Sequence, residues 1–299
     1  MAKRQTTLLI LPRSKADELG DRLDTIEAEL ARSGRVLREV ADTPSDIPDR
    51  IVEMSDRIDL VALGGGDGTL STCGFALWQT GLPLAILPLG TANDLARTLG
   101  VPLDPLRAAR LLREGRLADI DLAEVNGHHF FNAAGVGLTV DVAERLARGR
   151  KGLGPLSYLF AVLDILKARR SFRVRVGIDG EEVVLRSIQV TVGNGVRHGG
   201  GIRMHRDACI DDGQFDVYSL EPQPVWRLLA LAPAFLRGTH HAWRSVTHLR
   251  GRDVVLETPG KPKRINADGE IVSRTPGHFV LHRNAVLTYL PEHGPAELD

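Results

Sequence analysis

Residues 59–77 read DLVALGGGDGTLSTCGFAL, and this stretch decides the fold. The apolar run Leu60–Leu63 suits a strand buried on both faces, and the spacing of apolar residues after Thr69 is helical. Between the two stand Gly64, Gly65, Gly66 and Gly68. Glycines at such a junction permit positive φ and close backbone approach. A helix starting near Thr69 opens with unpaired N–H groups and the positive end of its dipole, so the junction is an anion site by construction. It is not a Walker A loop, because no Gly-Lys-Ser/Thr follows, nor G-x-G-x-x-G, because Thr69 stands where the third glycine belongs. A tight turn with Asp67 as helix cap is the plainer alternative, but three glycines before Asp-Gly-Thr exceed what a turn requires. The sequence leaves open why a negative charge, Asp67, sits at an anion site.

A second junction follows in LAILPLGTANDLA, residues 84–96. A buried strand passes through Gly90-Thr91-Ala92-Asn93-Asp94 into another helix. Thr91 and Asn93 offer neutral hydrogen bonds, and Asp94 reads as a helix cap. In a parallel sheet both loops lie at carboxyl strand ends, where ligands bind.

Around these junctions strand and helix signals alternate, which predicts a doubly wound parallel sheet. TTLLIL (6–11) is its first strand. Residues 15–34 read as one helix closed by Gly34, and 45–57 as a helix capped by Ser45. From about Ala118 strand-like runs dominate, with turn signals at Asn126-Gly127 and Asp179-Gly180 and helical inserts at Leu156–Ala168 and Val225–Arg237. This predicts a second, mainly antiparallel β domain, with the boundary near residues 120–130.

The 299 residues are natural for two domains. Net charge is zero overall, with 15 Lys/Arg against 20 Asp/Glu in residues 1–125 and 23 against 18 in the rest. The basic second half is suited to an anionic partner or to ordinary solvated scatter. Two cysteines, Cys73 and Cys209, make neither a disulfide framework nor a metal cluster and fit a reducing cytosol. The apolar run Leu8–Leu11 is too short for a signal-peptide core, and no segment approaches the ~20 apolar residues of a membrane span.

GGGDGT followed by PLGTANDLA resembles the catalytic domain of diacylglycerol kinases and their bacterial lipid-kinase relatives. FFNAAGVG (130–137), VTVGNG, DDGQFDV (211–217) and NADGE (266–270) follow in the expected order, so the resemblance covers nearly the whole chain. It implies an ATP-dependent, Mg²⁺-using kinase of a lipid hydroxyl. The implied fold is an α/β nucleotide domain over 1–125, with doubly wound parallel sheet, then a mainly antiparallel β-sandwich over 126–284. The active site would lie in the interdomain cleft, and a last strand near 285–299 would return to the first domain. It further implies a cytoplasmic protein touching the inner face of the membrane peripherally, a homodimer, and no nucleic-acid partner.

A primary alcohol needs a positioned proton acceptor to attack a phosphate at neutral pH. Asp268 and Glu270 flank a glycine on a strand or hairpin. Glu270 matches the family's proton acceptor; Asp268 competes, because residues i and i+2 of a strand share a face. Asp67 joins them as a catalytic candidate, acting through Mg²⁺ held with the ATP phosphates or through water. The nucleotide candidates are Gly64, Gly65, Gly66, Asp67, Gly68, Thr69, Gly90, Thr91 and Asn93. By position, the family's structural magnesium segment assigns the Asp212 side chain and the carbonyls of Cys209 and Gln214, oxygen donors that suit a hard cation. A solvated hairpin and an Asp-Asp-Gly turn are the plain alternatives for these two segments.

The chain departs from the family pattern at Leu11-Pro12-Arg13-Ser14, where Asn-Pro is usual. Ser71 and Thr72 stand in place of Asn-Glu, and Val40 or Thr43 in place of a threonine near the nucleotide. VWRLLALAPAFLRG (225–238) reads as core or an acyl-contacting segment, and RLARGRKGLG (145–154) as a solvated loop or a lipid-facing one. His205, His240 and His241 lack metal-site spacing. The competing functions are an NAD kinase-like phosphotransferase and a catalytically weak nucleotide- or lipid-binding regulator.

Overall fold

The computed structural model describes residues 5–138, 140, 171–195, 197–198, 202–203, 210–224 and 246–292. The helical inserts, the stretches 145–154 and 225–238, His205, His240, His241 and the proposed ligand Cys209 lie outside the described residues. The chain divides into two compact units, Met1–Leu122 with His282–Asp299, and Ala123–Leu281.

The first unit contains β1 (Gln5–Pro12), α1 (Arg13–Leu19), α2 (Arg22–Leu30), β2 (Gly34–Ala41), α3 (Ile47–Met54), β3 (Leu60–Gly65) and α4 (Asp67–Thr80). Then come β4 (Leu84–Pro88), α5 (Asp94–Thr98), α6 (Pro105–Ala109), α7 (Leu111–Glu114) and most of β5 (Gly115–Val125). The strands run β2-β1-β3-β4, all parallel. Winding reverses between β1 and β3, which is where open α/β sheets open a crevice. Leu8–Leu11 and Leu60–Leu63 are buried, as strands covered on both faces must be.

Two local expectations are corrected. Residues 15–34 form two helices, because Gly20 adopts φ 53°, ψ −131° and ends α1, while Gly34 begins a strand. The cap near residue 45 is the Thr43–Asp46 pair rather than Ser45: Thr43 N and Oγ1 both donate to Asp46 Oδ2, at 2.9 and 2.8 Å. Thr43 is therefore engaged in its own turn.

The second unit is antiparallel. Its strands are β6 (His128–Phe130), β7 (Ala133–Gly137), β8 (Phe172–Ile178), β9 (Glu181–Ser187), β10 (Gln189–Gly193), β11 (Arg197–His198) and β12 (Ile202–Arg203). They continue with β13 (Phe215–Leu220), β14 (Val246–Gly251), β15 (Val254–Glu257), β16 (Arg264–Ala267), β17 (Glu270–Arg274) and the start of β18 (Gly277–Pro291). One sheet runs β14-β13-β10-β7-β16-β17; β18, β15, β8 and β9 form the other layer. Between the layers, Val190, Val192, Phe215, Val217 and Ile265 meet Val174, Val176, Leu256 and Phe279 in one core. This is the β-sandwich. Three two-residue hairpins carry positive φ at both turn positions: Asn126-Gly127 (50°, 84°), Asp179-Gly180 (49°, 88°) and Asp268-Gly269 (44°, 95°). Such turns match the twist of the strands they join.

The far end of β18 belongs to the first unit, where Thr288 pairs with Leu84 and its hydroxyl donates to the Leu84 carbonyl at 3.0 Å. No helix among the described residues is long and apolar enough to cross a membrane.

Candidate active site

None of Gly64, Gly65, Gly66, Gly68 and Gly90 has positive φ, so only one of the two freedoms expected of them is used. The glycines answer to space. A Cβ on Gly65 would meet Thr69 Cβ at 2.5 Å; one on Gly90 would meet Gly66 Cα at 2.5 Å and Asn93 Oδ1 at 2.8 Å. The loops after β3 and β4 therefore touch backbone to backbone. Leu89 N donates to Gly65 O at 2.8 Å across the same seam. Gly90→Ala is expected to force the loops apart and lower the melting temperature, readable by thermal unfolding.

Asp67 closes the same seam. It is the first residue of α4, but its carboxylate turns to the next helix: Oδ2 accepts Asp94 N at 3.1 Å and Oδ1 accepts Leu95 N at 2.9 Å. The charge thus sits on the positive end of α5 and satisfies two donors there. Asp67 is a cap, though of α5 and not of its own helix. Asp94, expected to cap, is the first residue of α5 and donates its N–H to Asp67. Asn93, at φ 51°, folds its amide back on Gly90, accepting Gly90 N at 2.8 Å and donating to Gly90 O at 2.9 Å. Thr91 is exposed, and the Thr69 side chain packs over Gly65. What faces outward from α4 is its own N-terminus: the first helical bond is made by Leu70 N to Gly66 O, which puts the N–H groups of Gly68 and Thr69 ahead of it. Thr72 Oγ1 bonds Gly68 O at 2.8 Å, within its helix.

Arg97 was passed over in the sequence as a helix residue. Its Nε donates to Ala92 O at 2.9 Å, which ties the guanidinium to the Gly90–Asn93 loop. It has no ion-pair partner among the described residues, whereas Arg13 pairs with Asp42 and Lys15 with Glu18. The missing Walker lysine was the available signal, since a polyphosphate site without it needs a cation from elsewhere.

In the second unit Asp268 and Glu270 do not share a strand face. Asp268 is the first residue of the β16–β17 turn and Glu270 begins β17, opposite Ala267. Asp268 Oδ2 accepts Phe131 N at 2.8 Å, Oδ1 accepts Ala133 N at 3.0 Å, and Asn132 N reaches both oxygens at 3.1 and 3.2 Å. Three consecutive buried N–H groups therefore converge on one carboxylate. The Glu270 side chain is exposed and makes no hydrogen bond or ion pair among the described residues. Of the two, Glu270 is chemically available as a proton acceptor.

The candidate magnesium segment is less open than its resemblance implies. Asp212 Oδ1 accepts Gln214 N at 2.9 Å, and Oδ2 is ion-paired with Arg250. Arg250 Nε also lies 3.9 Å from Asp216, whose Oδ1 meets His248 Nε2 at 2.7 Å. Burial pushes the Asp212 carboxyl above the usual carboxylate range, with Arg250 opposing. These described residues do not fit a resident cation, because the Arg250 guanidinium already supplies the positive charge. Purified protein is accordingly expected to melt at the same temperature in Mg²⁺ and in EDTA. Arg250→Gln should cost about 1 kcal/mol, given the partial exposure of the pair, and make melting respond to Mg²⁺.

Comparison with known proteins bears on both units. Residues 5–125 match the diacylglycerol kinase catalytic domain, and residues 132–290 match the YegS C-terminal NAD kinase beta sandwich-like domain. The chain is 32% identical over 252 residues to a diacylglycerol kinase of Bacillus subtilis, covering 81% of this chain and 80% of that one. It is 31% identical over 243 residues to a diacylglycerol kinase of Mycobacterium tuberculosis strain H37Rv, covering 79% and 78%. A crystal structure of a diacylglycerol kinase from Bacillus anthracis is similar in fold, with TM-score 0.75 at 24% identity, over 97% of this chain and 98% of that one.

Proposed function

This chain belongs to the diacylglycerol kinase family in its bacterial lipid-kinase form, and on that premise we propose that it transfers the γ-phosphoryl group of ATP to a lipid hydroxyl. The observation that carries the reading is the bare contact of Gly66 with Gly90 beside the open N-terminus of α4. It leaves backbone, with no side chain in the way, where a polyphosphate can lie.

ATP enters as its magnesium complex. The N–H groups of Gly68 and Thr69 and the guanidinium of Arg97 bind phosphate oxygens, while Asp67 keeps the two loops joined. Phosphoryl transfer depends on such positioning and charge stabilisation. Glu270 accepts the proton as the lipid oxygen bonds to the γ-phosphorus and the bond to the bridging β–γ oxygen breaks, releasing ADP. Asp268 holds the hairpin that carries Glu270. The acceptor class is a membrane lipid with a free hydroxyl: diacylglycerol-like, phosphatidylglycerol, sphingoid or polyprenol. The enzyme works peripherally at the inner membrane face.

The test incubates the protein with labelled ATP, Mg²⁺ and vesicles carrying each acceptor, with NAD as a further arm. Labelled phospholipid supports the reading. NADP formation, or ATP binding with no turnover over the whole panel, overturns it in favour of an NAD kinase or a binding regulator.

A further inference from the structure

Strand β9 reads Glu181-Glu182-Val183-Val184-Leu185-Arg186-Ser187 and ends its layer of the sandwich. Among the described strands it pairs with β8 alone, in regular register from Phe172–Ser187 to Ile178–Glu181. An edge strand presents unpaired N–H and C=O groups, which proteins blunt with proline, lysine, a bulge or a cover. β9 has no proline, no lysine and no register shift. Its middle residue, Val184, is 64% exposed, the most exposed large apolar side chain among the described residues. Two other edge strands are treated differently. The register of β17 shifts opposite Ile265–Asn266, and in β2 Arg38 pairs with Asp24 and Glu27 while Glu39 pairs with Arg50.

The side chains of β9 divide between two faces. Val183 and Leu185 stand opposite the fully buried Val176 and Val174, so they face the sandwich core from its open side and are half-buried. Glu182, Val184 and Arg186 lie on the other face and are exposed. Glu182 is 3.6 Å from Arg175, whose shorter ion pair is with Glu257 at 2.9 Å. Arg186 Nε donates to Ser171 Oγ at 3.1 Å, and Arg186 has no ion-pair partner among the described residues. The strand therefore has a negative end, an apolar middle and a positive end.

Two copies of one strand pair antiparallel about a twofold axis normal to the sheet, and residues opposite each other must lie on the same face. One residue must then face its own copy. With Val184 in that place, Glu182 faces Arg186 of the second copy, twice over by symmetry, and Val183 faces Leu185. Centring on Val183 instead sets Glu182 against Val184, and centring on Leu185 sets Val184 against Arg186. We propose that β9 is a homodimer interface, in which two copies of this chain join edge to edge with Val184 at the twofold axis. One layer of the sandwich then continues from protomer to protomer and covers Val183 and Leu185. The contact occupies both edges, so it closes at two copies. The family resemblance implies a homodimer without naming a surface; the strand, symmetry and register come from β9 itself. The inference stands on the β-sandwich unit and not on the lipid-kinase reading.

The test is analytical ultracentrifugation of the full chain over a dilution series. The unaltered chain is expected to be a dimer at about 100 µM and to dissociate on dilution, because a contact of one strand is small. Val184→Lys sets two ammonium groups face to face and should leave a monomer throughout. Glu182→Arg alone, or Arg186→Glu alone, sets like charges opposite each other twice and should weaken the dimer about tenfold or more. Combining the two restores opposite charges and should recover the affinity to within about threefold. Val280→Lys, at a position 44% exposed on β18 and away from the edge, should leave the dimer unchanged. All these side chains are exposed, so each melting temperature should stay within about 3 °C of the unaltered chain. A monomeric unaltered chain at about 100 µM, a dimer that survives Val184→Lys, or single charge reversals whose combination brings no recovery overturns the interface. The assay contains neither ATP nor lipid, so its failure leaves the kinase reading intact.

Discussion

Glu270→Gln is expected to lower kcat for lipid phosphorylation by about 10²–10⁴, the usual contribution of a positioned general base. The substitution removes proton-accepting capacity and keeps size. Glu270 is exposed, begins a strand after a two-residue turn, and its side chain makes no hydrogen bond or ion pair among the described residues. Stability should therefore change by no more than about 0.5 kcal/mol. The KM for ATP should stay within about threefold, since the nucleotide is assigned to Gly68, Thr69 and Arg97 and a loss of transition-state interaction leaves ground-state binding untouched. Steady-state kinetics and thermal unfolding read these separately. A kcat within tenfold of the unaltered enzyme would remove Glu270 from the mechanism.

Asp268→Ala should behave in the opposite way. Phe131, Asn132 and Ala133 are all buried, and each directs its N–H to this carboxylate. Removing the acceptor leaves three buried donors at about 1–3 kcal/mol each, so a loss of roughly 3–9 kcal/mol is expected. That is a large part of the stability of an ordinary domain. Asp268→Asn keeps one acceptor oxygen and should cost much less. Activity of Asp268→Asn will fall if the hairpin shifts, but the pH profile of kcat should keep its shape, because the proposed proton acceptor, Glu270, is unchanged. If Asp268→Asn unfolds like the unaltered chain yet matches Glu270→Gln in lost activity, Asp268 is the base.

These two residues illustrate what could be read in advance. NADGE read as a strand or a hairpin, and only the strand would put both carboxylates on one face; the turn at Asp268-Gly269 separates them and gives them different work. The hairpin chemistry was in the letters, since Asp-Gly between strand-like runs signals such a turn, as it does at Asp179-Gly180. No signal in the sequence showed that residues 131–133 would come to Asp268 from 135 or more positions away. The glycine loops were legible as places of close approach but not as partners of each other. Arg250 gave no warning that it would reach Asp212, 38 residues before it.

Local order is what the amino-acid sequence by itself determined: parallel strands alternating with helices in the first part, antiparallel strands in the second, and glycines at the carboxyl ends of β3 and β4. Periodicity, turn residues and steric freedom act over a few neighbours, so they are written in the chain where they act. The tertiary structure alone decided what each charge does. Asp67 became the cap of a helix that begins 27 residues later, and Asp268 an acceptor for distant backbone, while Glu270 was left facing solvent. A carboxylate's role depends on which donors surround it, and those donors arrive only when the chain has folded.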